Sequence, residues 1–157
     1  MSEKLTHIND HGEAHMVDVS DREVSQRSAS ASGKVLLSKS VLSLIAQGTT
    51  PKGDVLATAR IAGIMGAKKT SDLIPLCHPI SISSVNVDLE IVDDGVQIYS
   101  TVKISDRTGV EMEALTAVSI AALTIIDMTK ALDPGATIKN IQVDEKDGGR
   151  NGHWKRT

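Results

Sequence analysis

Two runs of strict alternation flank one turn signal in the middle of the chain. Ile80 and Ile82, then Val85, Val87, Leu89 and Ile91, place apolar side chains on one face, with Asn86, Asp88 and Glu90 on the other. After Asp94-Gly95 the pattern resumes at Val96, Ile98, Ser100, Val102 and Ile104. A period of two marks a half-buried strand, and Asp-Gly is a strong hairpin signal. Two antiparallel strands with a single apolar face follow, and the rest of the chain has to cover that face.

Helical segments are available for the purpose. Glu111 to about Ala131 carries Leu115, Val118, Ala122, Ile125 and Ile126 at helix-like spacing and stops at Asp133-Pro134-Gly135. A second helix opens at Asp54 and runs to about Lys69, with acid and base placed to suit the macrodipole. It is slim: Ala57, Ala59, Ala62, Gly63, Gly66 and Ala67 leave little side chain, and an interior glycine costs roughly 1 kcal/mol relative to alanine. A partner packed close to the backbone explains that choice. A short strand at Lys34–Leu37, a helix capped by Ser38 or Ser40 and ended by Gly48, and a last strand around Ile138, Ile141 and Val143 complete the order β-α(α)-β-β-α-β. This is an α+β chain with a split β-α-β antiparallel sheet covered on one face by helices. The other sheet face needs cover, so subunits are expected to bury the remaining apolar area together as a homo-oligomer.

The 157 residues fit one domain: a polar, partly mobile arm over residues 1–32, then a single domain over 33–157 ending in a glycine-rich basic tail. Aromatic residues are 1% of the chain, Tyr99 and Trp154 with no Phe, so the core is aliphatic and a base-stacking nucleic-acid surface is excluded. A net charge of -3 gives no general attraction for polyanions, which makes any phosphate site local. The lone Cys77 forms no intrachain disulfide and no Cys-only metal cage, and fits a reducing compartment. The polar start Met1–Lys4 leads into no signal sequence, and no later stretch reads as a membrane span. The expectation is a cytoplasmic protein.

Four clusters can carry chemistry. Lys52, between Pro51 and Gly53 at a helix mouth, is either an anion contact or a solvated loop lysine. Leu76-Cys77-His78, with Pro75 and Pro79 around it, is either a stiff site wall or a structural turn with a buried thiol; as a zinc site it is incomplete. Asp127 and Lys130 share a helix face, as an ordinary i,i+3 pair or as an acid–base pair in which a partly buried lysine is tuned by the acid. Glu111-Met112-Glu113 either complements the helix dipole or accepts hydrogen bonds from a purine- or pterin-like ligand. The tail adds Lys146, Arg150, Lys155 and Arg156 among glycines, as phosphate contacts or as solvated charge. Walker, GxGxxG and GxSxG motifs are absent, against P-loop, Rossmann and serine-hydrolase readings.

Taken together, LTHINDHGEAHMVDVS, PKGDVLATARIAGIMGAKKTSDLIPLCHP, TGVEMEALTAVSIAALTIIDMTKA and KDGGRNG resemble the MoaC family, the cyclic pyranopterin monophosphate synthases of molybdenum-cofactor biosynthesis. The resemblance runs from Leu5 to Gly152. It implies a ferredoxin-like subunit, a hexamer built as a trimer of dimers, and active sites at dimer interfaces. It also implies the reaction, from 3′,8-cyclo-7,8-dihydroguanosine 5′-triphosphate to cyclic pyranopterin monophosphate and pyrophosphate, on a substrate made by a GTP-cyclising radical enzyme. By matching motif, the catalytic residues are Asp127, Lys52 and Lys130; His78, of the residue type that titrates near neutrality, is expected to serve a second proton transfer. Leu76, Cys77, His78, Glu111, Met112 and Glu113 bind substrate, while Lys68, Lys146 and Arg150 hold phosphates. No cofactor is required, although Mg²⁺ can accompany the triphosphate. Thr129 within Asp127–Lys130 and Arg150-Asn151 in the tail depart from relatives, the latter touching the phosphate contacts. The competing expectations are a non-catalytic nucleotide- or pterin-binding regulatory module and a Cys-His metal carrier.

Overall fold

The computed structural model describes residues 6–157; the polar start Met1–Lys4 and Leu5 lie outside the described residues. The elements in chain order are β1 (Ser25–Leu36), α1 (Lys39–Gln47), α2 (Val55–Lys68), α3 (Thr70–Leu73), β2 (Ser84–Val92), β3 (Gly95–Asp106), α4 (Glu111–Thr129), β4 (Thr137–Asp147) and β5 (Trp154–Lys155). Among the described residues the strands form one antiparallel sheet in the order β2-β3-β1-β4-β5. The split β-α-β arrangement of a ferredoxin-like α+β fold is therefore present, with a short extra strand at one edge.

Helices α2 and α4 lie on one face, over Val35, Val87, Val96, Ile98 and Val102, all 1% exposed or less. The slim faces meet each other. A methyl group added at Gly63 would stand 2.9 Å from the Ala117 carbonyl oxygen, and one at Gly66 would stand 2.7 Å from an Ile120 side-chain carbon. Gly63→Ala is accordingly expected to lower the melting temperature by an overpacking cost of about 1–3 kcal/mol, despite roughly 1 kcal/mol gained in helix propensity. A variant melting above wild type would show that the two backbones are not so close. The hydroxyls of α4 do not prevent its burial, because Thr116, Ser119, Thr124 and Thr129 each donate to the carbonyl four residues back. By length and composition alone α4 could cross a bilayer, contrary to the expectation that no stretch could. Here it is the core helix, with one side sealed against the sheet.

Four local expectations are corrected. β1 has twelve residues rather than the four of Lys34–Leu37, so residues 25–32 are strand and not arm. Its first half, Ser-Gln-Arg-Ser-Ala-Ser-Ala-Ser, is small and polar, yet it runs between β3 and β4 with Ala29 and Ala31 buried beneath α4. Ile80 and Ile82 precede β2 rather than belonging to it, because the chain after Pro79 stays irregular until Ser84. The hairpin loop is Asp93-Asp94, while Gly95 already pairs with Val92. Gly95 is small for a different reason: a Cβ there would lie 2.1 Å from the Val35 carbonyl oxygen. Finally, the uncovered sheet face is polar, not apolar, with Ser28, Ser30, Ser32, Thr101, Lys103 and Asp88 on it. Tyr99 shares that face and is exposed, and on the helix layer Ile61 and Met65 of α2 and Leu123 of α4 are exposed as well.

Candidate active site

Lys52 is presented by a closed turn. The Gly53 amide donates to the Thr50 carbonyl at 3.0 Å, and the Thr50 hydroxyl returns a bond to the Gly53 carbonyl. Gly53 takes φ 98°, which a side chain would disfavour, and the Asp54 carboxylate then caps α2 by accepting from the Ala57 amide at 2.9 Å. Held this way, the Lys52 ammonium donates to the Asp127 carbonyl at 2.8 Å and reaches its carboxylate at 3.3 Å. Lys130 approaches the other carboxylate oxygen at 2.8 Å. Two residues at the end of α4 and one at the mouth of α2 thus form a single ammonium–carboxylate–ammonium group. The Lys130 and then the Lys52 ammonium hold the Asp127 carboxyl below the ordinary aspartate range. The expected partial burial of Lys130 is not found: its side chain is 61% exposed, so solvent reaches the whole group. Exposed ion pairs add little to stability.

The other candidates gather at the opposite end of α4. Leu76, Cys77, His78, Met112 and Glu113 line a cavity of about 280 Å³, which the arm closes with Val17 and Val19. Arg22, Gly109 and Glu111 also line a polar cavity of about 180 Å³ that holds Lys146 and Arg150. The Ser100 hydroxyl bonds the Ala114 carbonyl at 2.7 Å and pins the first turn of α4 to the sheet. Lys146 pairs with Glu111 at 3.0 Å, both about one-third exposed. Glu113 is no solvated dipole complement: it is 4% exposed, and burial first, with the Glu111 charge adding, pushes its carboxyl above the usual range. Burial likewise pushes the Cys77 thiol up, with the Glu113 charge contributing. Among the described residues no group of three or more His, Cys, Asp and Glu is placed to hold a metal ion. Lys68 is exposed in the last turn of α2, outside both cavities.

The model of the MoaC family matches residues 16–149. The chain belongs to the MoaC family. A cyclic pyranopterin monophosphate synthase of Streptomyces avermitilis is 61% identical over 99% of this chain and 91% of its own length. One from a Nocardioides strain is 57% identical over 98% of this chain and 96% of its own. A protein named cyclic pyranopterin monophosphate synthase 2 in Mycobacterium tuberculosis is 54% identical over 99% and 93%.

In this MoaC family chain the sequence-selected residues therefore fall into two groups, Lys52, Asp127 and Lys130 in one and the remainder, Lys68 apart, in the other. Sequence reasoning passed over Arg22 and Arg27, which line the polar cavity beside Arg150. Both lie in the polar stretch read as arm, and only the recognition of β1 as a full strand would have placed Arg27. The basic tail divides: Arg156 lies 5.5 Å from the Trp154 ring and bonds the Val143 carbonyl, and Lys155 faces Glu145, so both fasten β5 rather than lining the cavity. Gly148, by contrast, is needed where it stands, since at φ 91° a Cβ would lie 2.2 Å from the Gln26 carbonyl oxygen.

The buried Glu113 gives a prediction. A carboxyl with a raised folded value favours the fold below its unfolded value and loses that contribution as pH rises through the folded one. Glu113→Gln is thus expected to melt above wild type at pH 8 and to lose the advantage at pH 4, while binding substrate less well. Equal melting temperatures at both pH values would show that burial does not strain this group.

Proposed function

We propose that this MoaC family protein converts 3′,8-cyclo-7,8-dihydroguanosine 5′-triphosphate to cyclic pyranopterin monophosphate with release of pyrophosphate, in molybdenum-cofactor biosynthesis. The curated relatives bear the name of this activity over nearly their whole length. The observation that carries the assignment of residues is the meeting of Lys52, Asp127 and Lys130.

The reaction opens the five-membered ring of the base, closes a six-membered ring and closes a cyclic phosphate. Each step is a proton transfer or a displacement at a polar centre, the chemistry that positioned acids, bases and cations accelerate. Lys130, oriented by Asp127, moves protons at the rearranging base. Lys52 stabilises charge on the α-phosphate as the bond to pyrophosphate breaks. At the other group, Glu113 and Glu111 accept from base N–H groups and His78 serves a second proton transfer. Arg150 and Lys146, joined by Arg22 and Arg27, hold the phosphates, and Lys68 meets them from the end of α2. We propose no resident metal; a Mg²⁺ ion would ride on the phosphate oxygens of the substrate.

The two groups sit at opposite ends of α4. Sixteen residues separate Glu111 from Asp127, about 24 Å along a helix at 1.5 Å per residue. The reacting base, ribose and α-phosphate are contiguous, so one copy cannot surround them. A second copy, antiparallel across the helix layer, would bring the start of one α4 to the end of the other and cover Ile61, Met65 and Leu123. The proposed assembly is a homohexamer, a trimer of such dimers, in the cytoplasm and supplied by the GTP-cyclising enzyme. Incubation of the purified protein with the cyclic dihydro-nucleotide should yield pyrophosphate and the pterin in equal amounts. Substrate recovered unchanged would overturn the assignment, and binding without turnover would favour a regulatory module.

A further inference from the structure

Among the described residues the His78 side chain makes one hydrogen bond, and its partner settles the form of the ring. Nε2 lies 2.7 Å from the main-chain carbonyl oxygen of Val17, sixty-one residues earlier in the chain. A carbonyl oxygen only accepts, so Nε2 must carry the proton. A neutral imidazole has one N–H, which leaves a lone pair on Nδ1. Among the described residues nothing pairs with Nδ1, and the atom is not among those sealed from solvent. The arm on either side of Val17 carries hydrogen bonds of its own. Asn9 Oδ1 accepts from the His11 and Glu13 amides, Ile8 bridges to Ala14, and Asp18 binds Ser20 through amide and hydroxyl. Val17 and Val19 then line the cavity that contains His78, Cys77 and Glu113.

We infer that the N-terminal arm is a working part of the active site: the Val17 carbonyl fixes His78 as the Nε2–H tautomer and so makes Nδ1 the nitrogen that exchanges protons with the ligand. The inference rests on the proposed reaction. In the step concerned, a ligand X–H bond breaks, its proton passes to Nδ1, the electron pair stays on the ligand, and the Nε2–H remains on Val17. The arm acts as a positioning element, since Val17 itself touches no reacting atom.

Two measurements test this on the full chain. With ¹⁵N-labelled histidine at pH 8, the signals that disappear in His78→Gln identify His78, and their long-range proton–nitrogen pattern should be that of a ring protonated at Nε2. The pattern of an Nδ1–H ring overturns the inference. The second measurement separates the two nitrogens, because a glutamine amide reaches the place of Nε2 and an asparagine amide that of Nδ1. His78→Gln should keep wild-type hydrogen exchange over Met16–Val19 yet lose turnover by about 10²-fold, the lower range for a lost acid–base group. His78→Asn should release the arm, with exchange there at least tenfold faster. Equal release in both variants overturns the tie to Val17. Full turnover by His78→Gln with the arm protected overturns the role of Nδ1. Absence of product from wild type would overturn the proposed reaction and leave the tautomer assignment standing.

Discussion

Lys130→Ala and Lys52→Ala are each expected to lower turnover by about 10²–10⁴-fold, the range that positioned proton transfer and charge stabilisation supply. Folding should survive, because both side chains are about half exposed or more and form no part of the core. The effect should appear in kcat with pyrophosphate and pterin falling together, whereas a merely electrostatic contact to substrate would raise KM. Asp127→Asn is expected to lie between wild type and the lysine variants, since its single amide oxygen can still accept from one ammonium group and Lys52 keeps the main-chain carbonyl, but neither lysine is held by charge. The pH behaviour follows from the same contacts. A carboxyl depressed by its partners contributes above its unfolded value and loses the contribution as pH falls through the folded one. With the Asp127 carboxyl held below the ordinary aspartate range by the Lys130 and Lys52 ammonium groups, the cluster stays assembled throughout the neutral range. Undiminished product from both lysine variants would refute their roles, and an acid limb of activity near neutrality that vanished in Asp127→Asn would contradict the depressed carboxyl.

Mixing two dead proteins should restore activity. Lys130→Ala damages the group at the end of α4 and His78→Ala the group near its start. If each site combines one group from each of two copies, a mixed dimer contains one site with both lesions and one with neither. Random pairing of equal amounts makes half the dimers mixed, so about a quarter of all sites become intact. Turnover recovering from near zero to about a quarter of wild type is the expected reading. A mixture no more active than its components would show that both groups serve a site within one copy, and the separation along α4 would then need another explanation. As a control, mixing Lys130→Ala with Lys52→Ala should recover nothing, because those lesions fall in the same group.

What was legible in the chain depended on side-chain size and sequence distance. β2, β3 and α4 were readable because aliphatic residues repeat at periods that a sheet or helix alone imposes. The packing of α2 was readable from its missing side chains, and a methyl group at Gly63 or Gly66 would indeed meet α4. β1 was half missed because its face beneath the close helix has room only for Ala29, Ala31 and Gly33 while its other face carries Ser28, Ser30 and Ser32, and a run so small and polar locally resembles a loop. The same error placed Arg27 in an arm. The charges of Lys52, Asp127 and Lys130 were evident, but their meeting was not, since Lys52 and Asp127 are 75 residues apart and only the fold relates them. Glu113 looked like any acid in a first helical turn; its burial depends on the Leu76–His78 segment and the arm, whose path no local pattern announces.

The length of α4 carries a consequence for how this protein can change over evolutionary time. One added or deleted residue between Ala114 and Ile126 would swing Asp127 about 100° around the rod and shift it 1.5 Å along, even if every turn of the rod survived. Both ends must point correctly at once, so this segment behaves as a ruler. Natural variation in chain length should collect in the connecting loops and at the termini, and the ruler itself should be inherited without gaps.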